Sequence, residues 1–145
     1  MSKLGLSVQP KKKEISLSKA KKRAWTVFSK YIRVRDALKT TGDPETAKCV
    51  TCGNTYPIKK MQGGHWIPGR RAAVLFSEQN VHAQCVICNL WRKGEYGKYT
   101  RAMKKMYGQE VMDELLDLDE QTVQIKAYQY LEIEETYKKK LKDLL

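Results

Sequence analysis

From Ser16 onward the apolar positions fall at helical spacing. Trp25, Phe28 and Ile32 recur at i, i+3 and i+7 with Tyr31 and Leu38 beside them, while Lys21, Lys22, Lys30 and Arg33 take the other face. Ser16 or Ser18 can cap such a helix and Thr41-Gly42-Asp43-Pro44 ends it, so the pattern predicts a helix over 17–40. Residues 1–15 carry a proline, Lys11-Lys12-Lys13 and no apolar periodicity, and read as a flexible basic tail. Residues 45–64 hold a short apolar–polar stretch around a cysteine pair, 65–79 a long loop and 80–85 a brief strand. A helix is expected to begin near Cys88 or Asn89, and 98–106 is helical with a basic face. Gly108 interrupts it, 111–116 makes an amphipathic turn or two, and 121–145 forms a long last helix with Val123, Ala127, Tyr130 and Ile133 on one face. The sum is one α+β domain over 16–145: a core at about 46–97 between a leading helix and a helical part over 98–145.

A chain of 145 residues has room for one modest core, and none for a cofactor domain beside a catalytic one. No apolar run approaches the roughly 18 residues of a membrane span. The first lysines are not followed by an apolar segment as in a secretory leader, so a cytoplasmic protein is expected. Charge changes the picture. Residues 1–105 carry 23 Lys and Arg against 6 Asp and Glu, whereas residues 106–145 carry 5 against 10, within a net +12. A basic body with an acidic helical end points to a polyanion partner, with nucleic acid first.

The four cysteines form two pairs, Cys49-Val50-Thr51-Cys52 and Cys85-Val86-Ile87-Cys88, with 32 residues between them. Two such turns bracketing a loop are how a structural Zn²⁺ site with four thiolates is built. Disulfides are the alternative, but a cytoplasmic chain rarely keeps them. Gly53 after Cys52 suits the positive φ such a turn requires.

Threaded through this frame is Gly63-Gly64-His65-Trp66, then Asn80-Val81-His82-Ala83-Gln84-Cys85, then Cys88-Asn89-Leu90-Trp91-Arg92-Lys93. The order of histidine, asparagine and asparagine, at separations of 15 and 9 residues, resembles the HNH nucleases. That resemblance implies a small ββα-metal unit in which His65 is the general base, Asn80 the middle asparagine and Asn89 a ligand on the helix for a catalytic Mg²⁺ or Mn²⁺. The chemistry suits phosphodiester hydrolysis. A histidine with pKa about 6.5 takes a proton from water near neutral pH, and a hard cation on oxygen ligands neutralises the phosphate. Asn80 would orient His65 or pin its loop. Gly64 stands where the common motif has an aspartate or histidine ligand. His82, two residues from Asn80 on a strand, either fills that place, assists the base, or only makes hydrogen bonds or a phosphate contact. Without it the ion would be held by Asn89, water and DNA phosphate.

Ala24 to Asp36, Gly64-His65, Asn80 to Cys85 and Cys88-Asn89 are similar to the phage NinG (Rap) recombination proteins, which share the glycine before the histidine. The resemblance covers roughly 20–145 and is weakest in the last helix. It implies a phage-encoded endodeoxyribonuclease acting on branched DNA such as Holliday junctions and D-loops, in the host cytoplasm. Candidate DNA contacts are Arg70 and Arg71 in the loop after the base, Arg92 and Lys93 after Asn89, and Lys98, Arg101, Lys104 and Lys105 beyond. They suit phosphate, and hence salt-sensitive binding of low sequence specificity. Recognition of a junction's shape would suit a homodimer, with the apolar face of the last helix as its interface or simply as core. Two rival readings are a non-catalytic zinc DNA-binding module, suggested by Gly64, and a zinc-stapled adaptor working through its acidic end.

Overall fold

The computed structural model describes residues 15–68 and 72–145, so of the tail expected over 1–15 all but Ile15, which packs against Ala20, Ala24 and Tyr130, lies outside the described residues, as do the candidate contacts Arg70 and Arg71. Helix α1 spans Leu17–Thr40, with the Ser16 hydroxyl accepting from the Lys19 N–H at 3.3 Å as its cap. The short strands β1 (Thr46–Lys48) and β2 (Thr55–Pro57) pair antiparallel and carry the first cysteine turn between them. A 3₁₀ turn over Ile58–Lys60 leads into β3 (Met61–His65), which pairs antiparallel with β4 (Val81–Cys85), placing His65 opposite Val81 and Gly64 opposite His82. Between these strands the expected loop contains one helical turn, α2 (Ala72–Leu75). Three helices follow: α3 (Tyr96–Tyr107), α4 (Gln109–Asp119) and α5 (Ala127–Leu144).

The β3–β4 hairpin is covered on both faces. Val81 packs with Phe28, Ile32 and Tyr137, and Ala83 and Cys85 with Ala37, so this side meets α1 and, through it, α5. The alternate positions turn the other way: His82 meets Tyr99 and Tyr107 of α3. Trp66, Ile67, Val74, Tyr99, Met103, Met112 and Leu115 form a second core beside them. A strand with two covered faces has no solvent side, and every residue of β4, including two polar ones, is buried.

The outer edge of β4 is closed by a side-chain pair. Arg35 donates to the Glu78 carbonyl at 2.7 Å and the Val81 carbonyl at 2.8 Å, while the Asp36 carboxylate accepts from the Ala83 N–H at 2.7 Å. The two side chains also pair with each other at 2.8 Å, so a buried ion pair stands where a neighbouring strand would be.

Three expectations need correction. No α-helix begins at Cys88: Ile87–Trp91 is a π-helical turn, and Lys93, Gly94 and Glu95, all with positive φ, redirect the chain before α3 starts. The 111–116 segment is part of the longer α4. The last helix starts at Ala127 rather than 121; Lys126 caps it by donating its N–H to Gln129 Oε1 at 2.8 Å, and Val123 is exposed ahead of it. The apolar face of α5 is core: Tyr130 packs on Ala20 and Ala24, and Tyr137 on Phe28 and Tyr31. No helix among the described residues is long and apolar enough to cross a membrane.

Candidate functional site

The ligand atoms of Cys49, Cys52, Cys85 and Cys88 all lie within 4.8 Å of one another. The Sγ atoms of Cys52 and Cys85 are 3.9 Å apart, close to the roughly 3.8 Å edge of a tetrahedron with metal–sulfur bonds of about 2.3 Å. Gly53, at φ +75°, makes the first turn possible, and the Val50 N–H donates to the Ala83 carbonyl, tying that turn to β4. Burial pushes the Cys49 thiol up, but N–H groups of Cys52 and Cys85 outweigh it and bring it down to about 7. Cys88 is pushed up to about 12, first by burial. The ligand atoms are close enough to share one ion, and the cluster could bind a structural metal such as zinc, which would take the cysteines as thiolates.

His65 ends β3 on the α1 side of the hairpin, half-buried, with its ring stacked on Trp25 at 4.9 Å between centroids and 19° between planes. Its Nε2 lies 3.1 Å from the Leu75 carbonyl. A carbonyl only accepts, so Nε2 carries the proton and Nδ1 keeps its lone pair. Burial lowers the pKa of His65, more than the bond to Leu75 raises it, so the neutral ring is the form near pH 7.

Asn80 explains why the Leu75 carbonyl is there. Its side chain is fully buried, accepts from the Ile67 N–H at 2.8 Å, and donates to the carbonyls of Ile67 at 3.2 Å and Val74 at 3.3 Å. One amide thus ties Ile67 to Val74, the residue next to the carbonyl that His65 meets. Asn80 pins the loop and orients His65 indirectly.

The structure does not direct His82 toward His65. Gly64 and His65 are neighbours on a strand, so His82, opposite Gly64, projects from the other face of the hairpin. Both of its ring nitrogens are engaged there, Nδ1 with the Tyr99 hydroxyl at 2.9 Å and Nε2 with the Tyr107 hydroxyl at 2.7 Å. Tyr99 spends its one proton on the Gly64 carbonyl at 2.7 Å, so His82 Nδ1 must donate to it and Nε2 must accept from Tyr107. Burial, reinforced by Arg35 and Lys39 against Asp36, brings the His82 pKa down to about 4. In this arrangement both nitrogens are taken by tyrosine hydroxyls and not free for a metal, and His82 joins β4 to α3.

Gly64 is a packing requirement. A Cβ built there would collide with Gln84 Oε1 and stand 2.9 Å from Gln84 Cβ, and Gln84 is buried, donating to Thr51 Oγ1 at 3.2 Å and the Gly94 carbonyl at 2.9 Å. Asn89 lies in the π turn and donates to Gln62 Oε1 at 2.6 Å. Gln62 is three residues before His65, about 10 Å along the strand. His65 and Asn89 are therefore not in contact. Among the described residues, the cysteines are the only His, Cys, Asp or Glu side chains gathered in a group of three or more that could hold a metal.

Lys98, Arg101, Lys104 and Lys105 are exposed along α3, whose buried side holds Tyr99 and Met103. Arg92 and Lys93 are exposed beside the π turn, with Arg92 3.4 Å from Glu95. Several site features had escaped the sequence reading: the stacking of Trp25, the Leu75 carbonyl, the hydroxyls of Tyr99 and Tyr107, and Gln84. Each depends on which elements meet, and only Trp25, with its place on the apolar face of α1, carried a signal.

The chain is similar to "Protein ninG" of Escherichia phage 933W and of Escherichia phage lambda, each 30% identical over 124 residues, and of Salmonella phage P22, 29% identical over 124 residues. These matches cover 85% of this chain and 56–57% of each relative, so the chain spans a little over half the length of the curated relatives it matches. No solved structure matches it. The family model described as Bacteriophage Lambda NinG protein matches residues 6–145, and the chain belongs to the NinG family.

Proposed function

We propose that this protein is a metal-dependent DNA endonuclease of the HNH (ββα-metal) type, with His65 as general base, acting on branched recombination intermediates such as Holliday junctions and D-loops. The observation that carries the reading is the state of His65. Its proton is fixed on Nε2 by the Leu75 carbonyl, its ring plane by Trp25, and its lowered pKa leaves Nδ1 ready to take a proton from water near pH 7. Asn80, by holding Ile67 to Val74, keeps that tautomer in place and is a positioning residue. His65 accepts the proton as the water's oxygen bonds to phosphorus and the bond to the leaving oxygen breaks.

A divalent cation, Mg²⁺ or Mn²⁺, would neutralise charge on the phosphate, with the Asn89 carbonyl as the protein atom offered to it and water and DNA phosphate completing its shell. The described residues build no cage for such an ion, and this favours weak binding of the cation without DNA. It is also the observation behind a second reading, a zinc-stapled DNA-binding module without catalysis. Structural Zn²⁺ in the cysteine cluster would hold the frame in either case. The basic α3 stripe and Arg92 and Lys93 supply phosphate contacts, to which Arg70 and Arg71 would add, and a homodimer would present two sites to a junction. A phage protein of this kind would act in the host cytoplasm.

The test is incubation of linear, nicked and four-way DNA with and without Mg²⁺ or Mn²⁺. His65→Ala is expected to bind DNA normally and lose cleavage by roughly 10²-fold or more. Metal-dependent cleavage by the wild type that survives in the variant would remove His65 from the mechanism. Binding with no cleavage by the wild type would establish the second reading.

A further inference from the structure

We propose that Trp91 is a base-stacking residue, and that the π turn carrying it recognises the face of a base or base pair exposed where a DNA duplex is interrupted. The inference rests on the DNA reading above and names the feature of branched DNA that the protein would take hold of. The chain has three tryptophans, and two are occupied inside: Trp25 against His65, and Trp66, buried, with its Nε1–H on Thr100 Oγ1 at 3.0 Å. Trp91 is 79% exposed. With it, Leu90 is 57% and Ile87 48% exposed, so one turn presents three large apolar side chains to solvent. Such a cluster opposes folding stability and marks a contact surface.

The turn is rigid rather than frayed. Cys88, at its centre, is one of the four clustered cysteines, and the Asn89 amide is tied to Gln62. Arg92 and Gly94 donate their N–H groups to the carbonyls of Ile87 and Cys88, each at 2.8 Å, and Gln84 holds the Gly94 carbonyl from below at 2.9 Å. Lys93 and Glu95 keep positive φ values of 53° and 49°, which non-glycine residues adopt only where the surroundings impose it. The indole therefore projects from a preformed backbone, so binding need order only its side chain.

Charge identifies the occupant. Arg92 and Lys93 directly follow Trp91, both exposed, and α3 continues the positive surface with Lys98 and Arg101. An aromatic face flanked by cations fits a nucleobase between phosphates, whereas a protein partner would be expected to meet apolar residues with a mixed rim. In continuous duplex the base faces are covered by their neighbours. At a branch, gap or flap one is open, so an exposed tryptophan distinguishes the two.

The test compares wild type, Trp91→Ala and Trp91→Phe for binding to a four-way junction and to linear duplex of the same sequence, without added divalent cation. A 2-aminopurine is placed at the branch point. Trp91→Ala is expected to bind the junction about ten-fold more weakly and to lose quenching of the 2-aminopurine, with duplex affinity and zinc content unchanged; Trp91→Phe should keep most of both. Because stacking releases no counterions, the slope of log affinity against log salt should stay the same in Trp91→Ala. Equal loss on junction and duplex, or no loss on either, overturns the inference while leaving the nuclease reading intact. Failure of the wild type to bind either DNA overturns both.

Discussion

Gly64 and His82 face each other across the hairpin and together govern the strand position next to His65. A substitution of Gly64 by aspartate, which would seem to restore the metal ligand of the common HNH motif, has no room: its Cβ collides with Gln84, whose side chain is held at both ends of its amide N–H₂ and cannot swing away. Even Gly64→Ala is expected to destabilise the fold by about 1–3 kcal/mol, as overpacking does. Urea unfolding checks this, and adding Gln84→Ala to the same chain should give back part of the loss. His82 makes a second prediction at this scale. Its pKa is about 4 in the folded protein, against about 6.5 for a free histidine. Between these values only the unfolded chain takes up the proton, so stability is fully present above about pH 6.5 and falls as pH drops toward 4, by on the order of 3 kcal/mol. Thermal unfolding from pH 7 to pH 4 should show this decline, and His82→Ala, less stable at pH 7, should show a flatter one. Under the proposed nuclease reading, the cation concentration needed for cleavage should not move in that variant, because neither nitrogen of His82 is offered to a metal.

At the scale of elements, the cysteine cluster brings the β1–β2 turn, the end of β4 and the π turn to one point, where the Val50 N–H and the Gln84 amide also join them. Cys52→Ser or Cys88→Ser, or removal of the metal with a chelator, is therefore expected to loosen the hairpin as a unit and abolish DNA binding as well as cleavage. Metal analysis and circular dichroism would follow both. Tightly held zinc absent from purified protein would contradict it. Helix α1 and the cysteine pairs were legible in the sequence because their signals are local: a cap, a 3.6-residue period, a fixed ligand spacing. The π turn was not, since Cys88, Asn89, Leu90 and Trp91 have no feature that excludes an α-helix. It forms where Cys88 joins the cysteine cluster while Gln84 anchors Gly94. The Arg35–Asp36 pair was hidden for the same reason. Adjacent helical residues do not share a face, and the purpose of these two appears only when β4 lies alongside with an open edge.

At the scale of the whole molecule, the order of residue types and the family were legible in the sequence, whereas the way the hairpin divides those residues was not. His65 faces α1; His82 and Gly64 face α3; Asn89 meets Gln62, three residues before His65 on β3. A one-residue parity decides this, and no spacing argument carried it without the register. What remains readable at this scale is charge. The four cations of α3 are exposed on a helix whose other side is core, so their replacement leaves packing untouched. With Lys98, Arg101, Lys104 and Lys105 all changed to glutamine, duplex affinity should fall and its salt dependence should flatten. Each phosphate contact contributes about 0.9 to the slope of log affinity against log salt, so four lost contacts lower it by between three and four. Fluorescence anisotropy across a salt series measures this directly. A variant that loses affinity at unchanged slope would have lost it through structure. One that keeps both would move the DNA path off α3, toward the exposed pair at Arg92 and Lys93, whose replacement would then carry the change in slope.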